Sequence, residues 1–281
     1  MYPVRDGSQS QITMPFADET MVHDDSRESG TNSQWFGSLV STPISLVLPM
    51  FNEGPVVDVT LKHAVEGLER KFADFEIVVA DDASTDRCAE KVEQWTRNDP
   101  RIRLVRLPHN QRFGGALCAG FQAASKDFLV YTDFDLPIRL DSLPRLLEAF
   151  SDADVLTGYS DAGAKYANWK SRVISLGYNS MVRALFGLRL RDINFGFKAV
   201  RRSVWEKLQL RSRSPFVDAE LFVQAQHLGY RVKEIPVPFV QRQLGASHIR
   251  RLDVIAATML DMAKLRLTLS RRLGQRVAPR T

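Results

Sequence analysis

The sequence predicts an α/β fold with a mostly parallel sheet, and three observations support this. Short apolar runs rich in β-forming residues alternate with segments of helical periodicity. Polar or glycine-rich clusters follow each of the first four apolar runs. The chain has 281 residues, 44% of them apolar, which suffices for one large core or two small ones. Strands that alternate with helices in this way form a parallel sheet with right-handed crossovers.

The first four strands are predicted at residues 44–48, 76–80, 102–107 and 128–132, with a helix after each of the first three. The second half is less regular. It contains predicted helices at residues 169–185 and 219–227, and predicted strands at residues 154–158, 231–235 and 239–242. Pro236 and Pro238 separate the last two strands, which predicts a position at the edge of the sheet.

Composition predicts three segments: a disordered polar tail at residues 1–41, a folded domain at residues 42–250, and a basic amphipathic helix with a tail at residues 251–281. The helix has apolar residues at helical spacing beside several arginines. Three roles are open for it: contact with an anionic membrane, packing on the sheet, or pairing with a second copy in a homodimer.

Charge and cysteine content limit the class of protein. A net charge of +5 and a pI of about 9.3 suit a phosphate-rich ligand or an anionic membrane, and we expect no nucleic-acid partner. Two cysteines are too few for a disulfide framework or a zinc site. We find no signal-peptide pattern and no apolar run that would span a membrane. We therefore expect a cytoplasmic protein that can contact the inner face of the membrane.

Two acidic residues, Asp133 and Asp135, end the fourth predicted strand. Residues i and i+2 of an extended chain point the same way, so both carboxylates can face one point beyond the strand. Two hard oxygen ligands there suit Mg²⁺ or Mn²⁺. Taken alone, the same spacing can also cap the helix predicted near Leu140.

The loops after all four strands carry more polar side chains than turns require. Because the carboxyl ends of parallel strands lie at one edge, ligands of open α/β sheets bind there. We therefore predict a concave polar site at this edge, formed by Asn52, Glu53, Asp81, Asp82, Asn110, Asp133 and Asp135.

Together these motifs resemble the inverting GT-A glycosyltransferases of family 2, and among them the dolichyl- or polyprenyl-phosphate mannose and glucose synthases. The resemblance extends from about Ile44 to Ser247. It rests on Leu48-Pro-Met-Phe-Asn-Glu-Gly54, Val78-Val-Ala-Asp-Asp-Ala-Ser-Thr-Asp86, Asn110 with Gly114-Gly-Ala-Leu117, Thr132-Asp-Phe-Asp-Leu-Pro137, Asp192-Ile-Asn-Phe-Gly-Phe-Lys198, and Gly229 to Phe239 with Arg242-x-x-Gly-x-Ser247. It implies a Rossmann-like GT-A fold with an acceptor-side region towards the C-terminus.

The resemblance also implies a donor site. Pro49, Asn52 and Glu53 would border the nucleotide, and Asp81 or Asp82 would accept hydrogen bonds from the base. Gly114 and Gly115 would let the backbone approach the sugar nucleotide closely. Asp133 and Asp135 would bind the Mg²⁺ or Mn²⁺ ion that bridges the diphosphate.

For the acceptor half, the resemblance implies that Asp192 and the Phe195-Gly196-Phe197 turn line the sugar and acceptor pocket. Arg242 would contact the donor diphosphate or the metal. Glu220 occupies the place of a general base for a hydroxyl acceptor. If the acceptor is instead a phosphate, Asp218 and Glu220 are acids of a helix N-terminus.

The chain departs from the lipid-phosphate pattern at three positions. Pro137 replaces a glutamine after the two acids, Thr157-Gly-Tyr-Ser160 lacks an arginine, and Leu176 replaces another arginine. In the family these two arginines pair with the acceptor phosphate.

We therefore predict a glycosyltransferase that moves a hexose from a nucleotide-sugar, of the GDP-mannose or UDP-glucose type, to polyprenyl phosphate. The alternative is a soluble transferase that acts on a hydroxyl of a small molecule, glycan or peptide, with Glu220 or Asp218 as base. A third hypothesis, a nucleotide-binding regulator without activity, is disfavoured by the intact Asp133 and Asp135.

Overall fold

The computed structural model describes residues 40–160, 169–238 and 252–277. These residues form a seven-stranded sheet with the order β3-β2-β1-β4-β6-β5-β7. The strands are β1 (Ile44–Met50), β2 (Phe75–Asp81), β3 (Ile102–Arg106), β4 (Phe128–Thr132), β5 (Val155–Tyr159), β6 (Phe197–Arg201) and β7 (Val232–Pro236). The predicted α/β class is confirmed, and β7 is an edge strand as expected. The strand predicted at residues 239–242 lies outside the described residues.

The helices follow the predicted alternation through the first half of the chain. They are α1 (Val57–Glu69), α2 (Cys88–Asn98), α3 (Arg112–Ala123), α4 (Leu143–Leu147), α5 (Trp169–Phe186), α6 (Arg202–Trp205), α7 (Val217–His227) and α8 (Leu252–Val277). Short 3₁₀ turns at Leu140–Ser142 and Glu148–Ser151 flank α4. Gly229 follows α7 at a φ of +86°, the left-handed conformation in which glycine commonly ends a helix.

Strand β6 is the main difference from the predicted topology. It pairs antiparallel with β4 on one side and with β5 on the other, whereas the remaining pairs are parallel. The motif at Phe195-Gly196-Phe197 predicts a turn, but Phe197 is already the first residue of this strand. Because β6 runs in the opposite direction, its amino end lies at the edge where the parallel strands have their carboxyl ends.

The sheet separates two apolar clusters, as strand alternation requires. Leu46, Ile77 and Val130 face the cluster that contains the buried side of α1 and α2. Val47, Val78 and Leu129 face the opposite cluster, which contains α3, α7 and part of α5 and α8. The site edge is therefore supported by a packed layer on each face.

Helix α8 packs against the second cluster through Met262, Leu265 and Leu269. Its other face exposes Leu260 by 56% and Leu267 by 61%. Packing on the domain, one of the three roles open for this helix, thus accounts for one of its faces. Within residues 40–160, 169–238 and 252–277, no helix combines the length and the apolar character needed to cross a membrane.

Candidate active site

Asn52 joins the loops that follow β1 and β2. It adopts a φ of 57°, in the left-handed region that asparagine tolerates better than most residues. Its Oδ1 accepts hydrogen bonds from the N–H of Thr85 (2.8 Å) and of Asp86 (3.3 Å), and its own N–H donates to Ser84 Oγ (2.9 Å). Asp86 in turn accepts from Gly54 N–H at 2.9 Å. The two loops therefore form one hydrogen-bonded unit.

This unit places the predicted donor residues of β1 at the edge. Pro49 and Glu53 are both half-buried, with part of each side chain open to solvent. Asn52 itself is exposed, but its amide oxygen is occupied by the loop after β2. Its visible role is to shape the loop that carries Glu53.

Asp81 and Asp82 end β2 with different surroundings. Asp81 has no exposed surface; its Oδ1 accepts from Ser84 N–H at 3.0 Å, and its Oδ2 lies 3.4 Å from Arg106 Nε. That Oδ2 makes no hydrogen bond within the described part of the chain. The charge of Arg106 partly offsets the cost of burying this oxygen, and Asp81 has no surface open to a ligand in this structure.

Asp82 anchors the start of α3. Its Oδ1 accepts from Gln111 N–H at 2.6 Å, and its carbonyl oxygen accepts from Asn110 Nδ2 at 3.2 Å. Burial raises the pKa of Asp82, and the N–H groups of Gln111 and Arg112 oppose that rise. The predicted candidates Asp82 and Asn110 are thus brought together at the edge of the sheet.

Gly114 and Gly115 leave room for the chain itself. A Cβ on Gly114 would lie 2.2 Å from the carbonyl oxygen of Ser212, and one on Gly115 would lie 2.8 Å from Arg213 Nη1. Gly114 N–H also donates to the Arg213 carbonyl oxygen at 3.0 Å. The two glycines were expected to let the sugar nucleotide approach the backbone. In this structure residues 212–213 of the chain occupy that space instead.

Asp133 and Asp135 follow β4 and are both half-buried, whereas Phe134 between them is buried. The chain is not extended here as predicted: strand β4 ends at Thr132, and residues 133–136 form a turn in which Leu136 N–H donates to the Asp133 carbonyl oxygen at 3.0 Å. Asp133 Oδ1 accepts from the hydroxyl of Tyr131 at 3.0 Å. A Cβ on Gly196 would lie 2.7 Å from Asp133 Oδ2, and Thr132 Oγ1 donates to the Gly196 carbonyl oxygen at 2.7 Å. Glycine at position 196 therefore keeps the second Asp133 oxygen accessible.

Tyr131 stays a hydrogen-bond donor at all ordinary pH values. Burial, followed by the negative charge of Asp133, raises the pKa of Tyr131 well above its usual value. A phenol that remains protonated can only orient the carboxylate, without competing with it for a cation.

The two carboxylates fit the chemistry of Mg²⁺ or Mn²⁺. Such ions take one or two protein carboxylates and complete their shell with water and phosphate oxygens. Among the residues described, no group of three or more His, Cys, Asp or Glu side chains is placed to hold a metal ion. A pair at the mouth of a sheet, with one oxygen oriented by a tyrosine, suits an ion shared with a diphosphate.

The acceptor half is held by a different set of contacts. Glu234 of β7 accepts from the N–H groups of Arg191 and Asp192, both at 2.8 Å. Asn179 of α5 donates to the Arg191 carbonyl oxygen at 3.2 Å. The Arg191 guanidinium lies 4.4 Å from the centre of the Tyr159 ring at the end of β5. Asp192 is thus fixed at the same edge, but it is mostly buried.

The two candidate bases, Asp218 and Glu220, face protein donors. Asp218 is 4% exposed and pairs with Lys198, which is 1% exposed. Glu220 is 3% exposed; its Oε2 accepts from the N–H groups of Arg211 (3.0 Å) and Ser212 (2.8 Å). Gln224 donates to Glu220 Oε1 at 3.0 Å. These bonds give both carboxylates structural roles.

The aromatic side chains of the Phe195-Gly196-Phe197 turn are fully buried. The turn therefore contributes the backbone of Gly196 to the site, and its phenylalanine side chains belong to the core. Arg242, the remaining predicted residue, lies outside the described residues.

Sequence reasoning missed three residues that lie beside the predicted site residues. They are Tyr131, Gly196 as a neighbour of Asp133, and Arg213 as a neighbour of Gly115. Tyr131 lies two residues before Asp133, so strand alternation alone could have placed it on the same side. No local signal pointed to Arg213, which is about a hundred residues away from Gly115 along the chain.

Comparison with known proteins identifies the family to which the chain belongs. The sequence profile of glycosyl transferase family 2 matches residues 45–209, more than half of the chain. An undecaprenyl-phosphate mannosyltransferase of Micrococcus luteus is 30% identical over 72% of this chain and 85% of its own length. Glycosyltransferase AglD of Haloferax volcanii is 37% identical over 69% of this chain, but the match spans only 32% of that relative's length.

Solved structures share the fold. Glucosyl-3-phosphoglycerate synthase from Mycobacterium tuberculosis superimposes with a TM-score of 0.58 at 21% identity, covering 79% of this chain and 81% of the other. A mannosyltransferase from Pyrobaculum calidifontis, solved with GDP-Man and Mn²⁺, gives a TM-score of 0.57 at 19% identity, covering 82% and 69%. Both are similar in fold, with the GT-A arrangement that the motifs implied. On the profile match and the Micrococcus relative, the chain belongs to glycosyl transferase family 2 and is a glycosyltransferase.

Proposed function

We propose that the chain is an inverting, metal-dependent glycosyltransferase that moves a hexose from a nucleotide-sugar of the GDP-mannose or UDP-glucose type to polyprenyl phosphate. The observation that carries the proposal is the pair Asp133 and Asp135, half-buried at the sheet edge beside Gly196 in a member of this family.

In this proposal Asp133 and Asp135 hold Mg²⁺ or Mn²⁺, and Tyr131 orients Asp133. When bound, the cation neutralises negative charge on the departing nucleoside diphosphate. Glu53, Pro49 and the loop shaped by Asn52 border the nucleotide, and Asp81 or Asp82 accepts from the base. Arg242, which lies outside the described residues, would contact the diphosphate or the metal, as the family motif implies.

The reaction is a single displacement at the anomeric carbon. An oxygen of the acceptor phosphate forms the new bond while the bond to the diphosphate breaks, and the diphosphate leaves with the electron pair. The acceptor phosphate is already ionised at neutral pH, so no side chain has to remove a proton from it. This agrees with the engagement of Asp218 by Lys198 and of Glu220 by backbone N–H groups.

The printed names of the relatives support polyprenyl phosphate as acceptor. The Micrococcus luteus relative is an undecaprenyl-phosphate mannosyltransferase, and a relative from Edwardsiella ictaluri is an undecaprenyl-phosphate 4-deoxy-4-formamido-L-arabinose transferase. Two arginines of the lipid-phosphate pattern are absent here, but Arg191 places a guanidinium against Tyr159 at the acceptor side of the edge. That cation supplies positive charge where an anionic acceptor would bind.

A lipid acceptor also gives a reason for the exposed face of α8. Leu260 and Leu267 are open to solvent, and Lys264 and Arg266 lie beside them. Apolar side chains flanked by cations suit peripheral contact with an anionic membrane. Sedimentation with anionic and neutral vesicles tests this, and a concentration-dependent dimer without vesicle binding would instead favour pairing of two copies.

The central experiment incubates the purified chain with a panel of labelled nucleotide-sugars, Mn²⁺ and polyprenyl phosphate. We expect label to enter the organic phase with one donor and to disappear from it with Asp135→Asn. Asp152→Asn is the matched control, because Asp152 pairs with Lys233 on the surface. Label that stays in water-soluble products would overturn the lipid acceptor and favour the hydroxyl-acceptor alternative, in which Glu220→Gln should nearly abolish turnover.

A further inference from the structure

Arg213 is an exposed cation at the donor side of the edge, close to the first turn of α3. Its Nη1 would lie 2.8 Å from a Cβ placed on Gly115, and its carbonyl oxygen accepts from Gly114 N–H at 3.0 Å. Asp82 anchors the same turn through Gln111 N–H at 2.6 Å. The guanidinium therefore lies beside the loops assigned to the nucleotide.

The Arg213 side chain is not held by the protein around it. Within the described part of the chain it makes no ion pair and no side-chain hydrogen bond. Burial raises the pKa of Asp82, and the positive charge of Arg213 opposes this, so the two groups are near enough to interact. An unpaired guanidinium next to a nucleotide site is suited to phosphate oxygens or to the face of a base.

The backbone of Arg213, in contrast, is fixed from two sides. Asp261 Oδ2 on α8 accepts from the N–H groups of Arg213 and Ser214, both at 3.2 Å. Glu220 Oε2 holds the preceding pair of N–H groups, those of Arg211 and Ser212. Asp261 is thus the point at which the C-terminal helix reaches the segment that carries Arg213.

We propose that Arg213 binds the nucleoside diphosphate part of the donor, and that Asp261 on α8 is the positioning residue that holds Arg213 there. This rests on the proposed function, since it assumes that the donor nucleotide lies against the unit formed by Asp82 and the first turn of α3. It makes α8 part of the support of the donor site, separate from any contact of its exposed face.

The test measures Mn²⁺-dependent binding of UDP and GDP to the full chain by calorimetry, together with KM and kcat for the donor. Arg213→Ala should weaken nucleotide binding about 10-fold, the scale of one hydrogen bond to a charged group, with kcat changed less than about threefold. Arg211→Ala is the matched control, because Arg211 is a neighbouring exposed arginine on the side of α7. It should bind like the wild type.

Asp261→Ala should raise the donor KM in the same direction, whereas Asp261→Asn keeps an acceptor oxygen and should restore most of the affinity. In the Arg213→Ala background, Asp261→Ala should add less than about a twofold loss, because the positioned group is already absent. Unfolding curves of every variant separate loss of fold from loss of binding.

Unchanged nucleotide binding by Arg213→Ala overturns the inference, while binding by the wild type leaves the proposed function standing. Full additivity of the two alanine substitutions overturns the positioning role of Asp261. A wild-type chain that binds neither nucleotide with Mn²⁺ would overturn both the proposed function and this inference.

Discussion

The acidic side chains of the donor half and the acceptor half of this sheet differ in what they face. Asp133 and Asp135, after β4, are half-buried beside Gly196, where no Cβ covers Asp133 Oδ2. Asp218 and Glu220, on α7, are nearly buried and bonded to Lys198 or to backbone N–H groups. Carboxylates that keep part of their surface exposed can reach a cation, whereas buried carboxylates bonded to protein donors hold the fold together.

The largest effect is expected at Asp135. Asp135→Asn keeps the size of the side chain but removes one anionic ligand, so turnover should fall by at least about 100-fold. Mn²⁺ binding, followed by electron paramagnetic resonance, should weaken in parallel while the melting temperature changes little. Activity of Asp135→Asn close to wild type would mean that Asp135 is no more a cation ligand than Asp218 or Glu220.

The Lys198–Asp218 pair tests the other side of the comparison. Lys198→Met removes the cation that faces the buried Asp218 and should lower the free energy of unfolding by about 3–5 kcal/mol. The double variant Lys198→Met/Asp218→Leu should recover part of that stability, as judged by denaturant unfolding. If the single variant keeps its stability but loses turnover, the pair belongs to the chemistry instead.

Tyr131→Phe sharpens the donor half. Removing the hydroxyl leaves Asp133 without its orienting hydrogen bond, so Mn²⁺ affinity should fall about 10-fold, at the lower end of what outer-sphere partners contribute. Tyr230→Phe is a matched control, since Tyr230 precedes β7 at the opposite edge. Equal Mn²⁺ affinity in wild type and Tyr131→Phe would limit Tyr131 to packing.

Glu220→Gln should have the smallest effect on chemistry. It weakens the bonds to Arg211 and Ser212, so the free energy of unfolding should fall by about 1–3 kcal/mol. The kcat of the folded fraction should stay within about threefold of the wild type. A loss of several hundredfold in kcat at unchanged stability would make Glu220 a general base and reverse the comparison.

Local pattern was enough to predict the first four strands. Apolar runs predicted β1 to β4, because strand alternation is a local property. The extended chain predicted through Asp133 and Asp135 was wrong, since residues 133–136 form a turn. The acceptor half depends on contacts far apart in the chain. Lys198 meets Asp218, Glu234 meets Asp192, and Asp261 meets Arg213, and no spacing rule predicts such pairs.

The same limit explains the missed strand β6. Strand β6 (Phe197–Arg201) has only five residues and lies between a glycine turn and α6. It is recognised as a strand only from its pairing with β4 and β5. Gly114 and Gly115 show the converse case. Their need for space was recognised from the sequence, but the neighbour that fills the space, residues 212–213, became visible only in three dimensions.

The reversed direction of β6 has a consequence for how this edge tolerates change. The parallel strands contribute the loops that follow them, whereas β6 contributes the residues that precede it, with Phe197 opposite Thr132. Deleting a single residue from β6 would shift this pairing by one step and turn every side chain of the strand to the other face. A bulkier residue would then occupy the position of Gly196 beside Asp133 Oδ2. Access of a cation to Asp133 therefore depends on the length of β6 as well as on the identity of the ligands.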